Sequence, residues 1–242
     1  LNRIIYEYTS INVLILTGQG EKFFCGGGDL KTEGEMLLPE KEANTGLEGE
    51  IKGFAEGLFN DEYHEKAQQI LKKFESLNQP VICAVNGWAV GGGVELVAAC
   101  DLAVASETAQ FCEIAASIGF IPEIGGAWNL PQVVGVRKAM ELMLTGKPID
   151  ADEALEIDLV NKVTPHEKLM SSTMELAGTI ASRPFQSICI TKNLIRKYLN
   201  EGHREAARQD ELKKVIALSK TKAVQEAIRD FFEGEHPLGQ DI

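Results

Sequence analysis

The sequence predicts an α/β fold, with strands wrapped by helices and a helical C-terminal region after them, and three observations carry this. Short runs of aliphatic and β-branched residues recur, among them Val13-Leu14-Ile15-Leu16-Thr17 and Val81-Ile82-Cys83-Ala84-Val85. These runs are continuously apolar rather than alternating, the mark of strands covered on both faces. Glycine turns follow them directly, and from Val136 onward the pattern is almost entirely helical.

The first predicted element is the strand from Val13 to Thr17, closed by Gly18. From Thr32 to Glu62 the texture changes: nine acidic residues against two basic ones, with five glycines and one proline, supply seven of the twelve net negative charges. Such a stretch has too little apolar surface to fold by itself and is expected to form a lid or a partly ordered excursion beside the first glycine cluster. Glu62 to Leu77 then places Ile70, Leu71, Phe74 and Leu77 at helical spacing behind a candidate cap at Asp61, which predicts an amphipathic helix. The next unit is the strand at 81–85, the turn Asn86-Gly87, a short buried helix from Val94 to Cys100, and a strand from Leu102 to Ala105. Helices are predicted near Arg137 to Leu144, Ala151 to Ile157, His166 to Ala181, Phe185 to Leu199 and Arg204 to Phe232, the last bending near Leu218 to Lys222. Asp150 with Glu153 forms a capping-box-like start to the second of these, and Pro184 sits at the first turn of the fourth. The chain therefore divides into an α/β core over residues 1–131 and a helical region over 132–242.

Composition narrows the function classes. With 44% apolar and 25% charged residues in 242, the chain can bury a substantial core and is not a disordered protein. A formal charge of −12 gives counterion release no role, so nucleic acid is not an expected principal partner. No run of about 18 apolar residues occurs and no signal-peptide pattern opens the chain, so a cytoplasmic or organelle-soluble location without membrane contact is expected. Cys25, Cys83, Cys100, Cys112 and Cys189 are odd in number and set mostly in apolar runs, as befits reduced, buried thiols. The chain opens on Leu1 rather than Met, and further sequence before it is expected.

Two glycine clusters hold most of the candidate chemistry: Cys25-Gly26-Gly27-Gly28-Asp29-Leu30-Lys31 and Gly87-Trp88-Ala89-Val90-Gly91-Gly92-Gly93-Val94-Glu95. Neither fits G-x-G-x-x-G, since Lys31 and Leu96 stand where its third glycine would be, and no G-x-x-x-x-G-K-[ST] occurs. Glycines ahead of a helix expose backbone N–H groups at the positive end of the helix dipole, which makes an anion or oxyanion site. Tight turns alone would explain one cluster, but two clusters, each after a strand, favour the site. Glu95 lies in the first turn of an otherwise apolar helix, so it must be paired, protonated or kept for chemistry. Glu123 lies among apolar residues and glycines in Gly119-Phe120-Ile121-Pro122-Glu123-Ile124-Gly125-Gly126. His64, His166, His203 and His236 show no metal-ligand spacing and fall on expected helix surfaces or loops; no metal site is predicted. Trp88 and Trp128 read as pocket walls or core.

At these residues the chain resembles the crotonase superfamily, the enoyl-CoA hydratases, isomerases and their relatives. The likeness runs from about Val13 to Val163 and rests on Gly26-Gly27-Gly28-Asp29-Leu30-Lys31, Pro80 to Asp101, Ala109-Gln110-Phe111, Ile121 to Pro131 and Leu144-Thr145-Gly146-Lys147. It implies a spiral of β-β-α turns, a C-terminal trimerisation region, a homotrimer or dimer of trimers, and an acyl-CoA thioester substrate. Coenzyme A would enter as part of that substrate, with no separate cofactor. The shared mechanism holds a thioester enolate on two backbone N–H groups. By position those are Gly28 and Gly92, with Gly26, Asp29, Leu30 and Lys31 lining the CoA entrance. Lys22 and Lys31 are candidates for the phosphates.

Departures from the family pattern choose the reaction. Hydratases of the family carry one glutamate where this chain has Glu95 and a second twenty residues on, where this chain has Ala115. Their F-G-Q-P-E stretch is here Phe111-Cys112-Glu113-Ile114-Ala115, with Glu113 out of register. In peroxisomal-type Δ3,Δ2-enoyl-CoA isomerases the proton-shuttling acid follows an Ile/Val-Pro-like turn, the place of Glu123. The favoured reaction is therefore double-bond isomerisation with Glu123 as acid/base. Hydration of a 2-enoyl-CoA by Glu95 and Glu123 is the alternative, and a non-catalytic trimeric scaffold or CoA-binding protein the further one. At the start, Leu1-Asn2-Arg3 resembles the family's L-N-R-P step yet runs straight into Ile4, so residues are expected to be missing there as well.

Overall fold

Strands come in pairs, and each pair splits between two sheets. The structure, a computed structural model, describes residues 11–28, 61–183 and 185–200, with isolated positions between 212 and 229. β1 (Leu14–Thr17) is followed by β2 (Phe23–Cys25), β3 (Val81–Val85) by β4 (Trp88–Val90), and β5 (Leu102–Ser106) by β6 (Gln110–Cys112). With β7 (Ile149–Asp150) and β8 (Lys162–Thr164), they form one sheet in the order β1-β3-β5-β8 and another in the order β2-β4-β6-β7. Every pairing is parallel except β6 with β7. This is the spiral of β-β-α turns that the family resemblance implies.

β3 shows why its sequence is apolar throughout. Cys83 and Val85 point into a core shared with Phe24, Val94, Phe111 and Leu130, while Ile82 and Ala84 meet Val104, Leu169 and Ala177 on the other face. Neither face meets water, so the period-2 alternation of a half-exposed strand is absent. Buried Asn86 ties two β-β corners together: its Oδ1 accepts from Gly18 N at 3.0 Å, and its Nδ2 donates to Gly20 O at 2.8 Å.

The helices are α1 (Asp61–Glu75), α2 (Gly92–Ala99), α3 (Gly126–Val134), α4 (Val136–Thr145), α5 (Ala151–Glu156), α6 (Leu169–Ala181) and α7 (Phe185–Asn200). α5 starts as its sequence predicts, with Asp150 Oδ1 accepting from Glu153 N at 2.9 Å. Leu71, Phe74 and Leu77 are buried by α1 and the turn after it, but Ile70, expected in the core, is 47% exposed. The stretch after Val136 is less purely helical than its pattern suggests, because β7 and β8 return to complete both sheets. At two and three residues they are too short to leave a periodic signal. The same brevity hides β2, β4 and β6, none of which the sequence marks. The expected lid over 32–60 and most of the expected helix over 204–232 lie outside the described residues.

Candidate active site

The register of the second sheet brings the two glycine clusters together. β2 and β4 are parallel neighbours, with Phe23 opposite Trp88 and Cys25 opposite Ala89, so the turns that follow them leave the sheet at one edge. There Gly27, at φ +84°, lies so close to β4 that a Cβ on it would stand 2.9 Å from Val90 O. A Cβ on Gly93 would collide with the backbone oxygen of Cys25. Only glycine permits backbones this near. Gly92 opens α2, and its N–H precedes the first bond of the helix, which Val94 N makes to Gly91 O at 2.9 Å. Gly26, Gly28 and Gly92 therefore share this edge, with Gly26 exposed and Gly28 and Gly92 half-buried. Asp29, Leu30 and Lys31 lie outside the described residues. Lys22 is exposed, its Nζ 5.3 Å from the centre of the Phe23 ring.

Glu95, one turn into α2, is 2% exposed and is not left uncompensated. Its Oε2 accepts from Ile124 N at 3.0 Å and Gly126 N at 2.6 Å, and its Oε1 from Glu123 N at 3.3 Å. Gly126 is the first residue of α3, so the carboxylate sits on the positive end of a helix and gathers the N–H groups of the loop before it. A Cβ on Gly126 would be 2.6 Å from Glu95 Oε2, which is why the approach needs glycine there. Of the outcomes the sequence leaves open for Glu95, paired, protonated or kept for chemistry, the structure shows pairing, with three backbone N–H groups among its partners.

The loop held by Glu95 carries Glu123 beside the glycines. Ile124 Cδ1 would be 3.3 Å from a Cβ on Gly92, so the residue after Glu123 packs directly over the second cluster. The side chain of Glu123 is 20% exposed, and its Oε2 is 2.8 Å from His64 Nδ1. Gln68 Nε2 donates to the Glu123 carbonyl from the same helix, α1, one turn on.

His64 is the residue the sequence reading misses. Expected on a helix surface, it is buried at 1% exposure and paired with a carboxylate. The signal was present: Leu71 and Phe74 lie on a stripe that continues back through Ala67 to His64, at steps of three and four. Extended by two turns, the apolar periodicity would have placed the imidazole inside. Ala115, where the resemblance puts a second hydratase acid, lies in a 3₁₀ turn over Ile114–Ile118, and the neighbouring Glu113 is buried at 2% exposure. Among the described residues no group of three or more His, Cys, Asp or Glu side chains is arranged to hold a metal ion. Nor is any described helix long and apolar enough to cross a membrane.

Comparison with known proteins gives a consistent result. The sequence model of the family described as enoyl-CoA hydratase/isomerase matches residues 5–239. The chain is 36% identical over 189 residues to the short-chain-enoyl-CoA hydratase of Clostridium acetobutylicum, a stretch covering 78% of this chain and 65% of that protein. It is 35% identical over 187 residues to the carnitinyl-CoA dehydratase of Proteus mirabilis, covering 77% of this chain and 64% of that one. The match thus spans just under two thirds of these relatives' own length. Among solved structures, an enoyl-CoA hydratase from Bacillus anthracis superposes with a TM-score of 0.66 at 32% identity, over 96% of this chain and 82% of the other.

Proposed function

The chain belongs to the enoyl-CoA hydratase/isomerase family, and from that premise we propose that it shifts a double bond in an enoyl-CoA through a thioester enolate. Glu123 is the acid/base, and the N–H groups of Gly28 and Gly92 hold the enolate oxygen. The observation that carries the reading is the unequal employment of the two glutamates. Glu95 is buried and accepts from three backbone N–H groups, whereas Glu123 keeps a partly exposed carboxylate beside the glycine edge.

In this reaction Glu123 takes a proton from C2 of a 3-enoyl-CoA. The electron pair moves onto the thioester oxygen, whose charge meets the two N–H groups as it develops. The same carboxyl then returns the proton to C4, leaving the 2-enoyl-CoA. One acid suffices because nothing is added. Gly26 with Asp29, Leu30 and Lys31 would line the entrance for the CoA moiety, which arrives with the substrate. A homotrimer or dimer of trimers belongs to the same reading, supported by the exposed stripe Val136, Met140 and Leu144 along α4.

Hydration of a 2-enoyl-CoA by Glu95 and Glu123 is the second reading, favoured by the names of the relatives, a hydratase and a dehydratase. The two separate on the absorbance of the conjugated enoyl thioester. Isomerisation raises it with a 3-enoyl-CoA, and Glu123→Gln lowers that rate about 10²- to 10⁴-fold, the usual contribution of a general acid/base. A fall with a 2-enoyl-CoA that needs both glutamates would replace this reading with hydration. Silence with both substrates would favour a non-catalytic CoA-binding trimer.

A further inference from the structure

We propose that His64 is a positioning residue for Glu123: its imidazole fixes the carboxylate at the glycine edge through a hydrogen bond. The inference deepens the proposed reaction and rests on Glu123 being its acid/base.

Three side chains from two helices hold this one loop residue at three points. Glu95 of α2 takes its backbone N–H, Gln68 of α1 donates to its carbonyl, and His64 of α1 meets its carboxylate at 2.8 Å. A carboxylate on a loop with only its main chain fixed would still rotate about its side-chain torsions. The imidazole removes that freedom, because its own position is set by burial on the stripe it shares with Ala67, Leu71 and Phe74. At 1% exposure His64 cannot meet a substrate, while Glu123 at 20% can, so the 2.8 Å contact is a route by which His64 acts on turnover.

The arrangement is that of a base oriented by a third group. Nδ1 of a neutral imidazole donates to the carboxylate and leaves it a base; a second proton on the ring makes an ion pair that competes with proton abstraction. Among the described contacts of Glu123 are Glu95 from α2, 3.3 Å from its backbone nitrogen, and Gln68, which is uncharged.

The test uses the full chain with His64→Ala and His64→Asn, the second keeping an amide donor near Nδ1. His64→Ala is expected to lower kcat about 10- to 100-fold, the range for a hydrogen bond to a charged group, with KM nearly unchanged. His64→Asn should restore most of kcat. A wild-type kcat in His64→Ala overturns the proposal, as does an asparagine variant as impaired as the alanine one. If the wild type turns over no enoyl-CoA, the reaction above fails separately, and the pairing is then read by imidazole ¹⁵N resonances. Movement of the His64 signals in Glu123→Gln supports the pairing, and signals that stay in place overturn it.

Discussion

Glu123 and Asp101 anchor two regions of the molecule on opposite terms. Asp101, just before β5, accepts from Val81 N at 2.8 Å and is paired with Lys192 and Arg196 of α7, each at 2.7 Å. Arg196 also donates to Ala99 O, and Lys192 to Gln79 O. Burial holds the Lys192 ammonium below the usual lysine range, with Asp101 opposing that shift. Two cations and a backbone N–H employ both carboxylate oxygens, and the whole cluster serves to seat α7 against the sheet. Around Glu123 the load is divided: Glu95 holds the loop, and the carboxylate at its tip meets an imidazole on one side and solvent on the other. A saturated carboxylate is a fastener, whereas one held by its backbone remains available for proton transfer.

The largest expected effect breaks the fastener. Asp101→Ala leaves Lys192 buried without its counter-charge, and removing one partner of such a pair costs about 3–5 kcal/mol. That is a fall in melting temperature of about 2–4 °C per kcal/mol in a chain of this size. Turnover per folded molecule should stay near wild type, because the contacts of Asp101 run to Val81, Lys192 and Arg196 and to none of the described site residues. A variant with an unchanged melting point would show that the cluster does not seat α7.

Glu95→Gln comes next and tests the division of labour. Its amide nitrogen would face backbone N–H groups that now donate to carboxylate oxygens, at a cost of about 1.5–3 kcal/mol. Unlike Asp101→Ala, it should also lower kcat, since the loop it holds carries Glu123. Stability lost with kcat intact would put Glu95 in the same class as Asp101. Gly126→Ala probes the same contact from the other side: its Cβ would stand 2.6 Å from Glu95 Oε2. Overpacking of this kind costs about 1–3 kcal/mol, read by thermal unfolding beside the rate.

How much of this was legible in the sequence follows from the scale of each feature. Strands as long as β3, apolar on every residue, and helices such as α1 were legible because their patterns outrun chance. β2, β4 and β6 were not: at three residues each they carry no period, and only their partners in the sheet define them. The glycines and both glutamates could be picked out as unusual for their surroundings. The employment of Glu95 could not, because its partners are backbone groups 28 to 31 residues away, and backbone leaves no letter in a sequence. His64 lies between these cases, visible through periodicity but not its partner, 59 residues on.

The pH dependence of the core sets the conditions under which the two regions can be compared. Burial, with neighbouring Glu113 adding to it, pushes the Cys112 thiol up to about 12 from its usual 9.0. Burial raises Cys83 as well, 3.4 Å from Cys100 Sγ. Below pH 9 these thiols are protonated in both folded and unfolded chains and do not affect the slope. Above it the unfolded chain loses protons that the folded chain keeps, so stability falls as pH rises. For Cys112 alone the slope is about 1.4 kcal/mol per pH unit, across the window from the ordinary thiol value up to about 12. Unfolding followed from pH 8 to pH 11 should show that decline, and Cys112→Ala should flatten part of it. A wild-type curve that stays level would mean that water reaches these thiols. The Asp101 and Glu95 variants belong below that window, where differences in stability report their carboxylates rather than the core they share.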